Sequence, residues 1–257
     1  MATEQASIAA WGPRDDTEED LVGTDWHQDA IRGLRTGLRD LALRAGLPWH
    51  VGDQLTLAAW GAHRTPWRPS PDIMVHPTAG AARRKEMDTR TDGLPALIIE
   101  VASESTWRKD VDLRTNQGKA RAYLTLGVPE YLVFDPLAAY IGGPCRAWRV
   151  VAGQIETWDP NVDGRYESRT LGISLRPEGA LLRVLDHAGQ PLPFEFEKTH
   201  LLMDQIDQLA AQVEQMDTQA AQLDAQAARI AEQEAELAHL RAELAHRRQK
   251  PSAASDE

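Results

Sequence analysis

Leu94-Pro95-Ala96-Leu97-Ile98-Ile99-Glu100-Val101-Ala102-Ser103-Glu104-Ser105-Thr106-Trp107 is the stretch on which the reading of this chain turns. Ala96 to Ile99 make a short apolar segment of strand length, and an acid, Glu100, stands at its end. A Ser/Thr-rich turn follows. Upstream, Pro71-Asp72 opens a second apolar segment, Ile73-Met74-Val75, and downstream Lys119 falls on a predicted helix. Singly, each has an ordinary explanation: Asp72 as a turn residue after proline, Glu100 as a solvated strand end, Lys119 as one charge on a wet helix face. Taken in this order they suggest more. Two acids delivered by adjacent strands, with a cation nearby, can hold a divalent metal against a phosphodiester and stabilise its anionic transition state.

The 257 residues suffice for one sizeable domain and an appendage. Apolar residues make up 42% of the chain and are concentrated in its middle, whereas the last stretch is mostly Ala, Gln and Glu. Cys145 is the sole cysteine, which excludes an internal disulfide or a cysteine-based zinc site and fits a reducing cytosol. The N-terminus lacks a basic region followed by an apolar core, so no secretory signal is expected. No apolar run approaches the roughly 20 residues needed to cross a bilayer. A cytoplasmic protein without membrane contact is the expectation. The formal net charge of −11 argues against whole-surface attachment to DNA, but a metal can offset carboxylates where a phosphate docks. The eight histidines are scattered with no H-E-x-x-H, and neither a Walker loop nor G-x-G-x-x-G is present.

Outward from the opening stretch, the pattern predicts a mixed α/β fold. Residues 1–23 are acidic and aperiodic, a loose tail. From Asp25 to Ala45 the apolar residues recur at helical spacing until Gly46 and Pro48. One strand is expected over Trp49 to Leu57, and a polar loop over 77–93. A helix is expected from about Asp112 to Leu126, stopped by Gly127 and Pro129. On it, Asp112, Asn116, Lys119 and Tyr123 would share a face, and Gly118 would sit inside at a cost of about 1 kcal/mol. Tyr131 to Phe134 is apolar on both faces, as an interior strand should be. Strands and turns follow, including a hairpin around Ala152-Gly153.

From Leu202 to Leu244 there is no Gly or Pro. Leu202, Leu209, Met216, Leu223, Ile230, Leu237 and Leu244 fall at heptad d positions without a gap, while the a positions start as Ile206 and Val213 and end as Glu234 and Arg241. Such a rod is roughly 65 Å long, and its single seam asks for a partner helix. The g positions are all Gln, so charge does little to choose partner or direction. A homo-oligomer joined by a coiled coil is expected.

The Glu100 stretch resembles the E-V-x-S-x-S-T signature of the Uma2 (Uma-two) family of restriction-endonuclease-like proteins. Lys119-Ala120-Arg121-Ala122-Tyr123, followed by Gly127-Val128-Pro129-Glu130-Tyr131 and Asp135-Pro136, is similar to that family's K-x-x-x-Y…G-V-x-E-Y-x-x-x-D-P block, and Pro71-Asp72 matches its P-D. The similarity covers roughly residues 24 to 195. The resemblance implies a PD-(D/E)XK core with a β-rich extension, acting as a metal-dependent endonuclease on nucleic acid, DNA first. Asp72, Glu100 and the backbone carbonyl of Val101 would bind Mg²⁺, with Mn²⁺ as a substitute, and Lys119 would orient the attacking water or balance charge on the phosphate.

The lysine departs from the parent motif, which places it two residues after the acid, where this chain has Ala102; the following helix supplies it instead. The helix start also departs from the family's D-x-x-x-K, which puts no weight on Asp110 or Asp112. Arg83, Arg84, Lys85, Arg108, Lys109 and Arg114 are candidates to touch phosphates, and Trp107 reads as an anchoring aromatic. The expected organisation is a tail at 1–23, a nuclease-like domain at 24–198, a coiled-coil helix at 199–248 and a tail at 249–257. The rival expectation is a catalytically silent scaffold or nucleic-acid-binding module of the same fold.

Overall fold

The computed structural model describes residues 25–61 and 66–249. The acidic segment 1–23 and the tail beyond 249 lie outside the described residues. The chain divides into two compact units, one ending at Glu195 and the other beginning at Phe196.

The first unit is built on a six-stranded sheet. α1 (Asp25–Arg44) leads into β1 (His50–Asp53) and β2 (Thr56–Ala58), then β3 (Ile73–His76), β4 (Glu86–Asp88) and β5 (Leu97–Val101). A crossover through α2 (Trp107–Asp110) and α3 (Lys119–Leu126) returns the chain as β6 (Glu130–Phe134), and β7 (Cys145–Val151) and β8 (Gln154–Thr157) form the predicted hairpin. The order across the sheet is β1-β3-β5-β6-β7-β8. β5 and β6 run parallel, as a helical crossover requires, and the other pairs are antiparallel. β9 (Tyr166–Glu167), β10 (Ser174–Glu178) and β11 (Leu181–Leu185) make a separate three-stranded sheet, which is the β-rich extension.

β5 and β6 are buried along their whole length, which is why their sequences are apolar rather than alternating. Side chains on a strand still point alternately to the two faces. Leu97, Ile99 and Val101 enter one core with Ile31, Leu34 and Leu38 of α1 and with Leu175 and Val184 of the extension. Ile98 enters the other with Ala120, Tyr123 and Leu124 of α3. The same alternation turns Glu100 towards α3, and this places the acid under the helix that carries Lys119.

Three expected elements differ. The single strand over Trp49–Leu57 is two strands, broken at Gln54, whose φ of 48° is left-handed. The polar loop at 77–93 contains β4, which pairs parallel with β2. The helix expected from Asp112 begins only at Lys119. Its N-cap is Gly118, with ψ of 126°, so the glycine is not inside the helix and carries no helix-interior cost. A Cβ there would lie 1.9 Å from the Asp112 carbonyl oxygen, a distance no side chain tolerates. Asp112 and Asn116 therefore do not share a helix face with Lys119.

α4 (Glu195–Gln249) constitutes the second unit almost alone, with 55 residues and a length of about 80 Å. It begins one turn or more before the predicted rod. Among the described residues, no helix is long and apolar enough to cross a membrane.

Candidate active site

The ends of β3 and β5 lie side by side, with Ile73 opposite Ile99. That register brings Asp72 beside Glu100: the Asp72 amide donates to Glu100 Oε2 at 3.4 Å. The Val101 amide in turn donates to Asp72 Oδ2 at 2.8 Å, fixing the rotamer of the first acid with the backbone that carries the second. Lys119, the first residue of α3, places its Nζ 3.7 Å from Glu100 Oε2. One turn on, the Tyr123 hydroxyl donates to Glu100 Oε1 at 3.3 Å. Asp72, Glu100 and Lys119 thus meet at one end of the sheet.

Two further groups join them. Asp110, at the end of α2, sets its Oδ1 3.3 Å from Lys119 Nζ, so the ammonium stands between two carboxylates. His27, in the first turn of α1, points Nε2 at Asp72 Oδ1 from 3.4 Å. The sequence reading gave Asp110 no weight because its spacing from Lys119 is long. The structure absorbs the extra residues in the turn 111–118 and restores the pairing. His27 was missed, although a signal existed: it is a polar residue on the buried stripe His27-Ala30-Ile31-Leu34 of α1.

Glu100, Asp110 and Lys119 are exposed by only 2, 1 and 4%. Isolated charges at such depth are unfavourable, and partners are needed. Burial pushes the Asp110 carboxyl up to about 6, with the Lys119 ammonium opposing that rise and the Asp72 carboxylate adding to it. Burial also raises the Tyr131 hydroxyl well above its usual range, helped by Glu100 and Asp110; it remains a donor, bonded to the Asp110 carbonyl at 2.8 Å.

An unfolded aspartate titrates near 3.9, below the folded Asp110. Between about pH 4 and 6 the folded chain therefore holds a proton that the unfolded chain has lost. The resulting stabilisation is complete below about pH 4 and disappears as pH rises through about 6, at no more than about 1.4 kcal/mol per pH unit. His50 and His76, both lowered chiefly by burial, act in the opposite sense, losing stability as pH falls through their unfolded value near 6.5. Asp110→Asn isolates the first contribution. Relative to wild type, the variant gains stability between pH 5 and pH 7.5, read as urea midpoints at each pH; an unchanged difference contradicts the assignment.

Glu100 and Asp110 flank the one ammonium, and Asp72 adds a third acid beside Glu100. A divalent cation would balance that excess, and the donors suit a hard ion. Each carboxylate oxygen of Asp72 and Glu100 can accept more than the one bond named above. Among the described residues, no group of three His, Cys, Asp or Glu side chains surrounds a single metal position.

Other motif residues are structural. Glu130 accepts bonds from Ser168 Oγ at 2.5 Å, the Arg169 amide at 2.8 Å and Thr170 Oγ1 at 2.7 Å. Buried Asp135 accepts from the amides of Leu137, Tyr140 and Ile141. Trp107 stacks on Tyr140 with ring centres 6.5 Å apart, and the Arg108 guanidinium lies over the Trp107 ring, 4.6 Å from its centre. Arg84 pairs with Asp92 at 2.7 Å.

The mixed six-stranded sheet, the acids at the ends of β3 and β5, and the lysine on the crossover helix define a restriction-endonuclease-like α/β protein. The chain belongs to the Uma2 family: the family model described as "Uma2: Putative restriction endonuclease" matches residues 21–186, more than half of the 257 residues. Among solved structures, a similar chain is "a putative nuclease belonging to DUF820" from Anabaena variabilis ATCC 29413. It is 13% identical with a TM-score of 0.37, covering 53% of this chain and 69% of that one. No functionally curated protein matches the chain.

Proposed function

We propose that this protein is a divalent-metal-dependent endonuclease that hydrolyses phosphodiester bonds of DNA and self-associates through α4. The observation that carries the reading is the buried meeting of Asp72, Glu100 and Lys119, with Glu100 Oε2 within 3.4 Å of the Asp72 amide and 3.7 Å of the lysine ammonium. Asp72, Glu100 and the Val101 carbonyl would hold Mg²⁺ or Mn²⁺. Bound there, the ion would supply Lewis-acid polarisation of a phosphoryl oxygen and acidify the attacking water. Lys119 faces the same space with a fixed positive charge, suited to the negative charge that develops on the phosphate. In a water-poor site one such group is worth about 10²–10³ in rate. Asp110 and Tyr123 hold the lysine and Glu100 in place, and the Val101 amide holds Asp72.

The experiment is direct. Supercoiled plasmid, linear duplex, single-stranded DNA and RNA are each incubated with the protein, with and without Mg²⁺ or Mn²⁺. Metal-dependent nicking of the plasmid is expected. No cleavage of any substrate with either metal contradicts the proposal and leaves the silent scaffold in its place.

Self-association is supported by the seam of α4. All seven apolar d positions from Leu202 to Leu244 are exposed by 52 to 67% in the single chain, and a row of that kind is buried by a facing helix in coiled coils. Leu223→Asp, at the middle of the seam, is expected to abolish association. In sedimentation at micromolar protein the wild type runs as a dimer or larger and the variant as a 28.5 kDa monomer; a monomeric wild type refutes this part of the proposal.

A further inference from the structure

On an acidic chain of net charge −11, one groove carries the opposite sign. It encloses about 720 Å³ between α1, the edge strand β1 and the segment 81–84, and its charged lining is Arg35, Arg39, Arg83 and Arg84 against Asp53 alone. The formal balance of these five groups is +3, and Asp92, paired with Arg84 at 2.7 Å, lowers it to +2.

The guanidiniums are held in position. Arg35 donates to Asp53 Oδ2 at 2.6 Å. Arg39 donates to the Val51 carbonyl through two nitrogens, at 3.3 and 2.9 Å. Arg84 bonds both Asp92 at 2.7 Å and the Ala79 carbonyl at 2.9 Å. Each guanidinium has five N–H donors in a rigid fork, so these bonds leave donors for a ligand, and the fork matches a phosphate. The Arg39 bonds also cover a carbonyl of the open sheet edge, which makes that edge a poor template for an added peptide strand. Positive charge is dense enough to act on a neighbour: burial is the main cause of the low His50 value, and Arg84 and Arg39 lower it further.

One end of the groove abuts the site. Asp53 pairs across the sheet with Ile73, the residue after Asp72, and the Gln54 amide donates to the carbonyls of Pro71 and Asp72. α1, which carries Arg35 and Arg39, also presents His27 to Asp72. Fixed guanidiniums on two walls, in a space larger than one phosphate, fit successive phosphates of a chain.

We infer that this groove grips a nucleic-acid strand by its phosphodiester backbone and leads it towards Asp72 and Glu100. Its direction towards the site rests on the nuclease reading; its capacity to bind does not.

The test measures fluorescence anisotropy of labelled oligonucleotides of about 16 nucleotides, single-stranded and duplex, in EDTA, from about 50 to 200 mM salt. Arg39→Gln/Arg83→Gln is expected to raise Kd at least about tenfold at the lower salt and to reduce the salt slope by about one to two, as two lost phosphate contacts would. Arg146→Gln, a change outside the groove, should leave binding unchanged. Exposed Arg83→Glu provides a second variant that does not disturb the Val51 contact, and circular dichroism checks that each variant is folded. Wild-type affinity and slope in both groove variants overturn the inference. So does inorganic triphosphate competing as tightly as the oligonucleotide, which would mark a small-anion site. The plasmid assay on the wild type separates the two proposals: groove-dependent binding without wild-type cleavage sinks the nuclease reading and keeps the track, whereas wild-type cleavage with unaffected groove variants sinks the track alone.

Discussion

Glu100→Gln is expected to reduce metal-stimulated plasmid cleavage by at least about 10³-fold while leaving the protein folded and no less stable. The substitution keeps the shape of the side chain and an oxygen for the Tyr123 hydroxyl, 3.3 Å away in the wild type. It removes one of the two carboxylates that flank a single buried ammonium, so mutual repulsion falls. Loss of activity without loss of stability distinguishes a working site from a structural one. Asp72→Asn should behave alike. Lys119→Met should also lose cleavage but be less stable, because Glu100 and Asp110 are then buried without their cation. Cleavage by Glu100→Gln within about tenfold of wild type would remove the acid from the mechanism.

Glu130→Ala is expected to behave in the reverse way, destabilising the fold by about 3 kcal/mol with no direct effect on chemistry. Glu130 begins β6, and its carboxylate ties that interior strand to the turn preceding β10 through three donors. Truncation strands the Ser168 and Thr170 hydroxyls and the Arg169 amide, each at a cost of about 1–3 kcal/mol where water cannot replace the acceptor. Glu130→Gln retains one acceptor and should lose about half as much. Denaturant midpoints measure both, and cleavage per folded molecule should stay at the wild-type level. A stable but inactive Glu130→Ala would show that the acid of the G-V-x-E-Y block serves the reaction instead.

These contrasts show what was legible in the sequence. The strands that carry the acids are buried on both faces, so their apolar runs stand out, and α1 has an uninterrupted helical stripe. The start of α3 was not legible because two local signals competed. Asp112-Leu113-Arg114-Thr115-Asn116-Gln117 has helical apolar spacing with its neighbours, yet the Asp112 carboxylate takes the amides of Arg114 and Thr115 and the Thr115 hydroxyl. That capture offers the backbone an alternative to the helix, and Gly118 then turns the chain into Lys119. β4 was hidden for another reason: in Glu86-Met87-Asp88 only Met87 is apolar, and its pairing partner β2 lies far away in sequence. Asp110 and His27 take their roles from tertiary proximity to Lys119 and Asp72, which no spacing along the chain encodes.

The proposed hydrolysis depends on a cation held between the two strand-end acids. Mn²⁺ titration followed by electron paramagnetic resonance counts bound ions without requiring turnover. One ion per chain in the wild type, lost in Asp72→Asn/Glu100→Gln and retained in Glu130→Gln, is the predicted result. Equal Mn²⁺ binding by wild type and the double variant would contradict it.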